Sequence, residues 1–65
     1  MDKLIGYDIT NKDNHQPVFY DAWHDVIYCN DYDYLFTIGK GKDFETLHDF
    51  IEYAVSDGWL ITYKR

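Results

Sequence analysis

The sequence predicts a small α+β domain: an antiparallel sheet of three to five strands with one amphipathic helix packed on one face, in the order β-β-(β)-β-α-β. Three observations predict it. Several short runs alternate apolar and polar residues, as strands do. One stretch, Leu47 to Val55, repeats its apolar residues at helical spacing. A chain of 65 residues holds one core, so residues 1–65 form a single domain.

Ile5, Tyr7 and Ile9 share one face of a first strand, with Leu4, Gly6 and Asp8 on the other. Asn11 to Pro17 is a polar, turn-rich connection. Pro17 lacks an N–H and opens a second strand near Val18 to Ala22. Val26-Ile27-Tyr28-Cys29 is a β-prone run, and Asn30-Asp31 suits a two-residue turn. The sequence leaves open whether residues 18–29 form one bent strand or two. Tyr32, Tyr34, Phe36 and Ile38 alternate with Asp33, Leu35 and Thr37, the clearest strand pattern in the chain.

Gly39-Lys40-Gly41-Lys42 turns the chain toward the helix. Thr46 is the expected N-cap, with Asp49 three residues on as in a capping box, and Asp43 is an alternative start. Leu47, Phe50, Ile51, Ala54 and Val55 form the apolar stripe, opposite Glu45, Asp49, Glu52 and Ser56. Gly58 is placed to end the helix, and Trp59 to pack back on its last turn. Trp59, Ile61 and Tyr63 then share one face of a last strand. The expected core is Ile5, Tyr7, Ile9, Phe36, Ile38, Leu47, Phe50, Ile51, Ala54, Val55, Trp59 and Ile61.

Composition narrows the function. A single cysteine, Cys29, excludes a disulfide within the chain and suits a reducing compartment. No segment is apolar enough to span a membrane, and the start lacks a signal-peptide pattern, so a cytoplasmic protein with no membrane association is expected. The formal charge is −6, and no Lys or Arg occurs between Lys12 and Lys40 or between Lys42 and Lys64. Such a surface repels phosphate backbones, which disfavours direct nucleic-acid binding, and attracts a protein partner with a basic surface.

No catalytic residue, metal ligand set or cofactor motif is expected. His15, His24, His48 and Cys29 lack the close spacing of zinc ligands. Asp31-Tyr32-Asp33 begins like a calcium loop, but Leu35, Phe36 and Lys42 stand where that loop needs an oxygen ligand, a glycine and a bidentate glutamate. The Gly39–Lys42 turn lacks the spacing and the Ser/Thr of a phosphate loop. Nucleophilic catalysis would use Cys29 with a histidine, and His24, five residues away, could approach it across a bend, although Cys29 lies in an apolar run where a buried inert thiol is the commoner case.

The most unusual stretch is Phe19-Tyr20-Asp21-Ala22-Trp23-His24-Asp25, which interleaves rings with acids. One strand face cannot bury Val18, Phe19, Tyr20 and Trp23 together, so some face outward. Trp and Tyr are enriched at binding hot spots. Phe19, Tyr20, Asp21, Trp23, Asp25, Asp31 and Asp33 are therefore the expected partner-binding residues. Burial of surplus rings in a homodimer, with an edge strand near residues 59–64 pairing across a two-fold axis, is the competing expectation.

The segment Phe44-Glu45-Thr46-Leu47-His48-Asp49-Phe50-Ile51-Glu52-Tyr53-Ala54 through Gly58-Trp59 resembles a helix-then-strand ending common in small accessory proteins of bacteriophages and prophages. With the short length, acidity and aromatic content, the whole chain resembles a phage-encoded host-takeover or anti-defence protein. That resemblance covers residues 44–63. It implies a protein that inhibits a host machine in the host cytoplasm, such as a CRISPR effector, a restriction enzyme or a polymerase. It assigns no functional residue.

Overall fold

The chain runs β1 (Asp2–Asp8), β2 (Gln16–Asp21), β3 (Val26–Cys29), β4 (Leu35–Thr37), α1 (Leu47–Ser56) and β5 (Leu60–Ile61). The computed structural model describes residues 2–29 and 35–62. The strands form one curled antiparallel sheet in the order β4-β3-β2-β1-β5. The chain therefore leaves one edge of the sheet at β4, crosses through α1 and returns at the other edge as β5. Among the described residues, no helix is long and apolar enough to cross a membrane.

Residues 18–29 resolve into two strands joined by a turn at Ala22–Asp25. The strand expected from Tyr32 is described from Leu35 onward. The Asn30-Asp31 turn, the start of that strand and Tyr63 lie outside the described residues.

The expected alternation of β1 is broken by a bulge. Leu4 pairs with Phe19 and Gly6 pairs with Val18, so Ile5 is the extra residue. A bulge reverses the facing of every residue beyond it in the strand. Ile5 and Gly6 are both buried, and Tyr7, expected beside Ile5 in the core, pairs with Pro17 and Ile61 instead and is half-buried. Gly6 has a specific reason to lack a side chain: a Cβ there would collide with the Ile61 carbonyl oxygen.

The buried core is Ile5, Val18, Ile27, Cys29, Ile38, Phe50, Ala54 and Leu60. Val18, Ile27 and Cys29 come from β2 and β3, interior strands whose pairing is not legible locally. Leu60 replaces Ile61 as the buried residue of β5, because its register opposite Asp8 turns it toward the helix. Ile9 and Ile61 are half-buried and Val55 is exposed. The helix stripe is centred on Phe50 and Ala54, flanked by Leu47 and Ile51, which carries Val55 round to solvent. Phe50 is the hub of the core, with ring centroids 5.5 Å from Phe36, 5.3 Å from Phe44 and 5.9 Å from Trp59.

Both helix ends are closed by local chemistry. The Thr46 Oγ1 accepts the Asp49 N–H at 3.1 Å. At the other end the Trp59 N–H donates to the Ala54 carbonyl and the Gly58 N–H to the Val55 carbonyl, with Gly58 at φ 88°. That is a Schellman cap. Asp43, the alternative start, instead accepts the Thr37 N–H and hydroxyl and ties the pre-helix loop to β4.

Candidate functional site

The stretch singled out for its rings and acids forms the end of the β2–β3 hairpin. Asp21 pairs with Val26, and Ala22-Trp23-His24-Asp25 make the turn between them. The turn is held by its own carboxylates. Asp21 Oδ1 accepts the Trp23 N–H at 2.9 Å and the His24 N–H at 3.3 Å, while Asp21 Oδ2 lies 2.7 Å from His24 Nδ1. An acid at this position mimics a backbone turn. The His24 ring, with help from the two backbone amides, holds the Asp21 carboxyl below the usual carboxylate range.

Asp25 closes the turn at φ 53°, in the left-handed region that Asp tolerates better than most residues. Its carbonyl accepts the Ile38 N–H at 2.8 Å, and its carboxylate accepts the Tyr20 hydroxyl at 2.6 Å. This hydrogen bond, with some desolvation and the charges of Asp25 and Asp21, raises the Tyr20 pKa above that of an ordinary tyrosine. The turn is thus anchored to β4 and to β2. It presents Trp23 at 85% exposure.

The second part of the site is the sheet face turned away from the helix. Cross-strand pairing aligns Leu4, Phe19, Tyr28 and Leu35 in one row across β1 to β4. Leu4 is 46% and Leu35 53% exposed, and between them Phe19 stacks on Tyr28 at 5.5 Å. The neighbouring row is Asp2, Asp21, Val26 and Thr37. Two aspartates directly opposite one another normally destabilise a sheet. Here Asp2 accepts the Tyr28 hydroxyl and Asp21 is held by the turn, which moderates the repulsion. Among the described residues, no carboxylate pairs with a Lys or Arg, and the His24–Asp21 contact is the ion pair present.

The expected partner-binding residues therefore divide. Asp21, Trp23 and Asp25 meet at the turn, joined by the Tyr20 hydroxyl. Tyr20 itself packs against the core, so its ring is not part of an outward patch. Phe19 belongs to the open sheet face. Asp31 and Asp33 lie outside the described residues. Sequence reasoning misses the row members Leu4, Tyr28 and Leu35, and Asp2 beside them, because facing depends on pairing and on the Ile5 bulge.

The other constellations are dispersed. His24 stands at the turn and the buried Cys29 at the far end of β3, so they do not approach one another across a bend. Among the described residues, no three His, Cys, Asp or Glu side chains converge as a metal site would need. Comparison with protein-family models, with curated proteins and with solved structures finds no match to this chain.

Proposed function

We propose that the protein is a small acidic interaction module that covers a basic, nucleic-acid-binding surface of another protein, in the manner of a phage-encoded inhibitor of a host machine. The observation that supports this most is Trp23, held out at 85% exposure by a turn built from acids, within a stretch that contains no Lys or Arg from Asp13 to Gly39. A large ring kept in water by a braced backbone is a ready anchor, and burying such an anchor is worth about 2 kcal/mol or more at an interface. The row Leu4, Phe19, Tyr28 and Leu35 offers further apolar area beside it. The carboxylates around them, none of which pairs with a Lys or Arg among the described residues, steer a cationic surface in and repel nucleic acid. Carboxylates at fixed strand spacing stand in for the phosphates that such a surface normally holds.

A homodimer that buries surplus rings, with the edge strand β5 pairing across a two-fold axis, is the alternative. It would bring two chains of charge −6 together, which favours a basic partner over a second copy. Sedimentation at micromolar concentration separates the two readings.

The test is affinity capture from host lysate with three baits: wild type, Trp23→Ala, and Leu4→Ser with Leu35→Ser. Wild type is expected to retain a protein with a basic contact surface. Trp23→Ala is expected to weaken that retention about tenfold or more. Its thermal midpoint should match wild type, because the ring packs on little of its own chain. Equal retention by all three baits contradicts the proposal.

A further inference from the structure

Asp8 closes β1 at the end opposite Asp2, and there the molecule carries a second feature. A pocket of about 290 Å³ is lined by Asp8, Thr10, Phe36, Tyr53 and Trp59. This lies near the lower end of the roughly 300–1,000 Å³ typical of small-molecule sites, so it suits a headgroup-sized ligand. Three of the five lining residues are aromatic and one is a carboxylate.

The walls are supported from behind. Phe36 and Trp59 pack on the fully buried Phe50 at 5.5 and 5.9 Å, and Tyr53 packs on Phe44 at 5.3 Å. The acid is oriented too: Asp8 Oδ1 accepts the Thr10 N–H at 2.9 Å and the Thr10 hydroxyl at 2.7 Å. Rings and acid are therefore set in place before any ligand arrives.

The geometry points to a binding site for a methylated ammonium group, of the kind carried by choline or by trimethyl-lysine. Aromatic faces attract a cation lying within about 6 Å of the ring centroid. The Asp8 charge reinforces that attraction and rejects anions. A neutral apolar ligand would cover the carboxylate without compensating it. A primary ammonium or a guanidinium carries several N–H donors, and the three rings that make up most of the wall satisfy them less well than the Asp8 carboxylate does. A quaternary ammonium has no N–H to satisfy, presents methyl groups to the rings and keeps a charge for Asp8, so it suits this lining best. The acidic net charge favours its approach. The site is independent of the hairpin turn, and neither reading requires the other.

The experiment is a titration followed by backbone amide shifts, using choline chloride against sodium chloride as the salt control. A parallel titration uses choline's neutral isostere, with carbon in place of nitrogen. Saturable shifts at Asp8, Thr10, Tyr53 and Trp59 are expected with choline, and binding of the isostere about tenfold weaker or worse. Asp8→Asn preserves the acceptor for Thr10 while removing the charge. Tyr53→Leu preserves apolar bulk at an exposed helix position while removing the ring. Each is expected to weaken choline about three- to tenfold, with Tyr53→Phe close to wild type. If Asp8→Asn does not fold, the tyrosine pair and the isostere carry the test. A trimethyl-lysine peptide and its unmethylated form then identify the source: tighter binding of the methylated peptide than of choline indicates a protein ligand, and the reverse a small molecule. Equal binding of choline and its isostere, or no saturable shift at the pocket at millimolar choline, overturns the inference.

Discussion

Gly6 lies on the core side of β1, directly beneath the carbonyl of Ile61. The absence of a Cβ at this glycine is what allows β5 to approach β1 closely enough to pair. Replacing it with alanine forces side chain against backbone with no flexible group to give way. Gly6→Ala is expected to cost about 2 kcal/mol or more, read as a fall in the urea midpoint. An unchanged midpoint would show that β5 docks more loosely than described. A residue of this kind is not legible in the sequence, where Gly6 is simply the small member of an alternating run. Its requirement comes from a strand more than fifty positions away. Thr46 and Gly58, by contrast, are legible, because each bonds to backbone groups within a few positions of itself. Trp23 is legible as unusual but not as exposed. Its exposure follows from the bracing of the turn: Asp21 accepts the Trp23 and His24 N–H groups, and Asp25 ties the turn to the Tyr20 hydroxyl and the Ile38 N–H.

At the scale of elements, the same distinction separates α1 from the sheet. The helix depends on a stripe, an N-cap and a C-cap, all local, and these set its start and end. Thr46→Ala removes the acceptor for the Asp49 N–H and is expected to destabilise the domain by about 1 kcal/mol. Thermal or urea unfolding measures this, and a Thr46→Ser control should recover most of the loss. Full stability in Thr46→Ala would mean that the tertiary packing of Phe50 and Ala54 fixes the helix start without the cap. Strand pairing is the opposite case. An unbroken alternation places Tyr7 in the core with Ile5. The bulge at Ile5 breaks that alternation, and only the pairing with β2 reveals it. The division of residues 18–29 into two strands likewise depends on Asp21 capping its own turn, a role that a carboxylate in an acid-rich stretch does not announce.

At the scale of the molecule, one helix covers one face of a five-stranded sheet. That arrangement is legible, since a single amphipathic stripe has a single face to cover. It also leaves the other face without a helix, and the row from Leu4 to Leu35 is the result. The acidic field is legible from composition. The candidate surface is legible only in part, through Asp21, Trp23 and Phe19, because composition names the residues while topology decides which share a face. With no carboxylate neutralised by Lys or Arg among the described residues, the acids remain available to a cationic target. Association that relies on such charges weakens as salt shortens the screening length from about 10 Å at 0.1 M ionic strength toward about 3 Å at 1 M. The most direct measurement is calorimetric affinity for the captured partner across a salt series, for wild type and Trp23→Ala. The account predicts that affinity falls steadily with salt in both proteins, and that the variant lies about tenfold or more below wild type at every point. An affinity that ignores salt and is indifferent to Trp23 would contradict it.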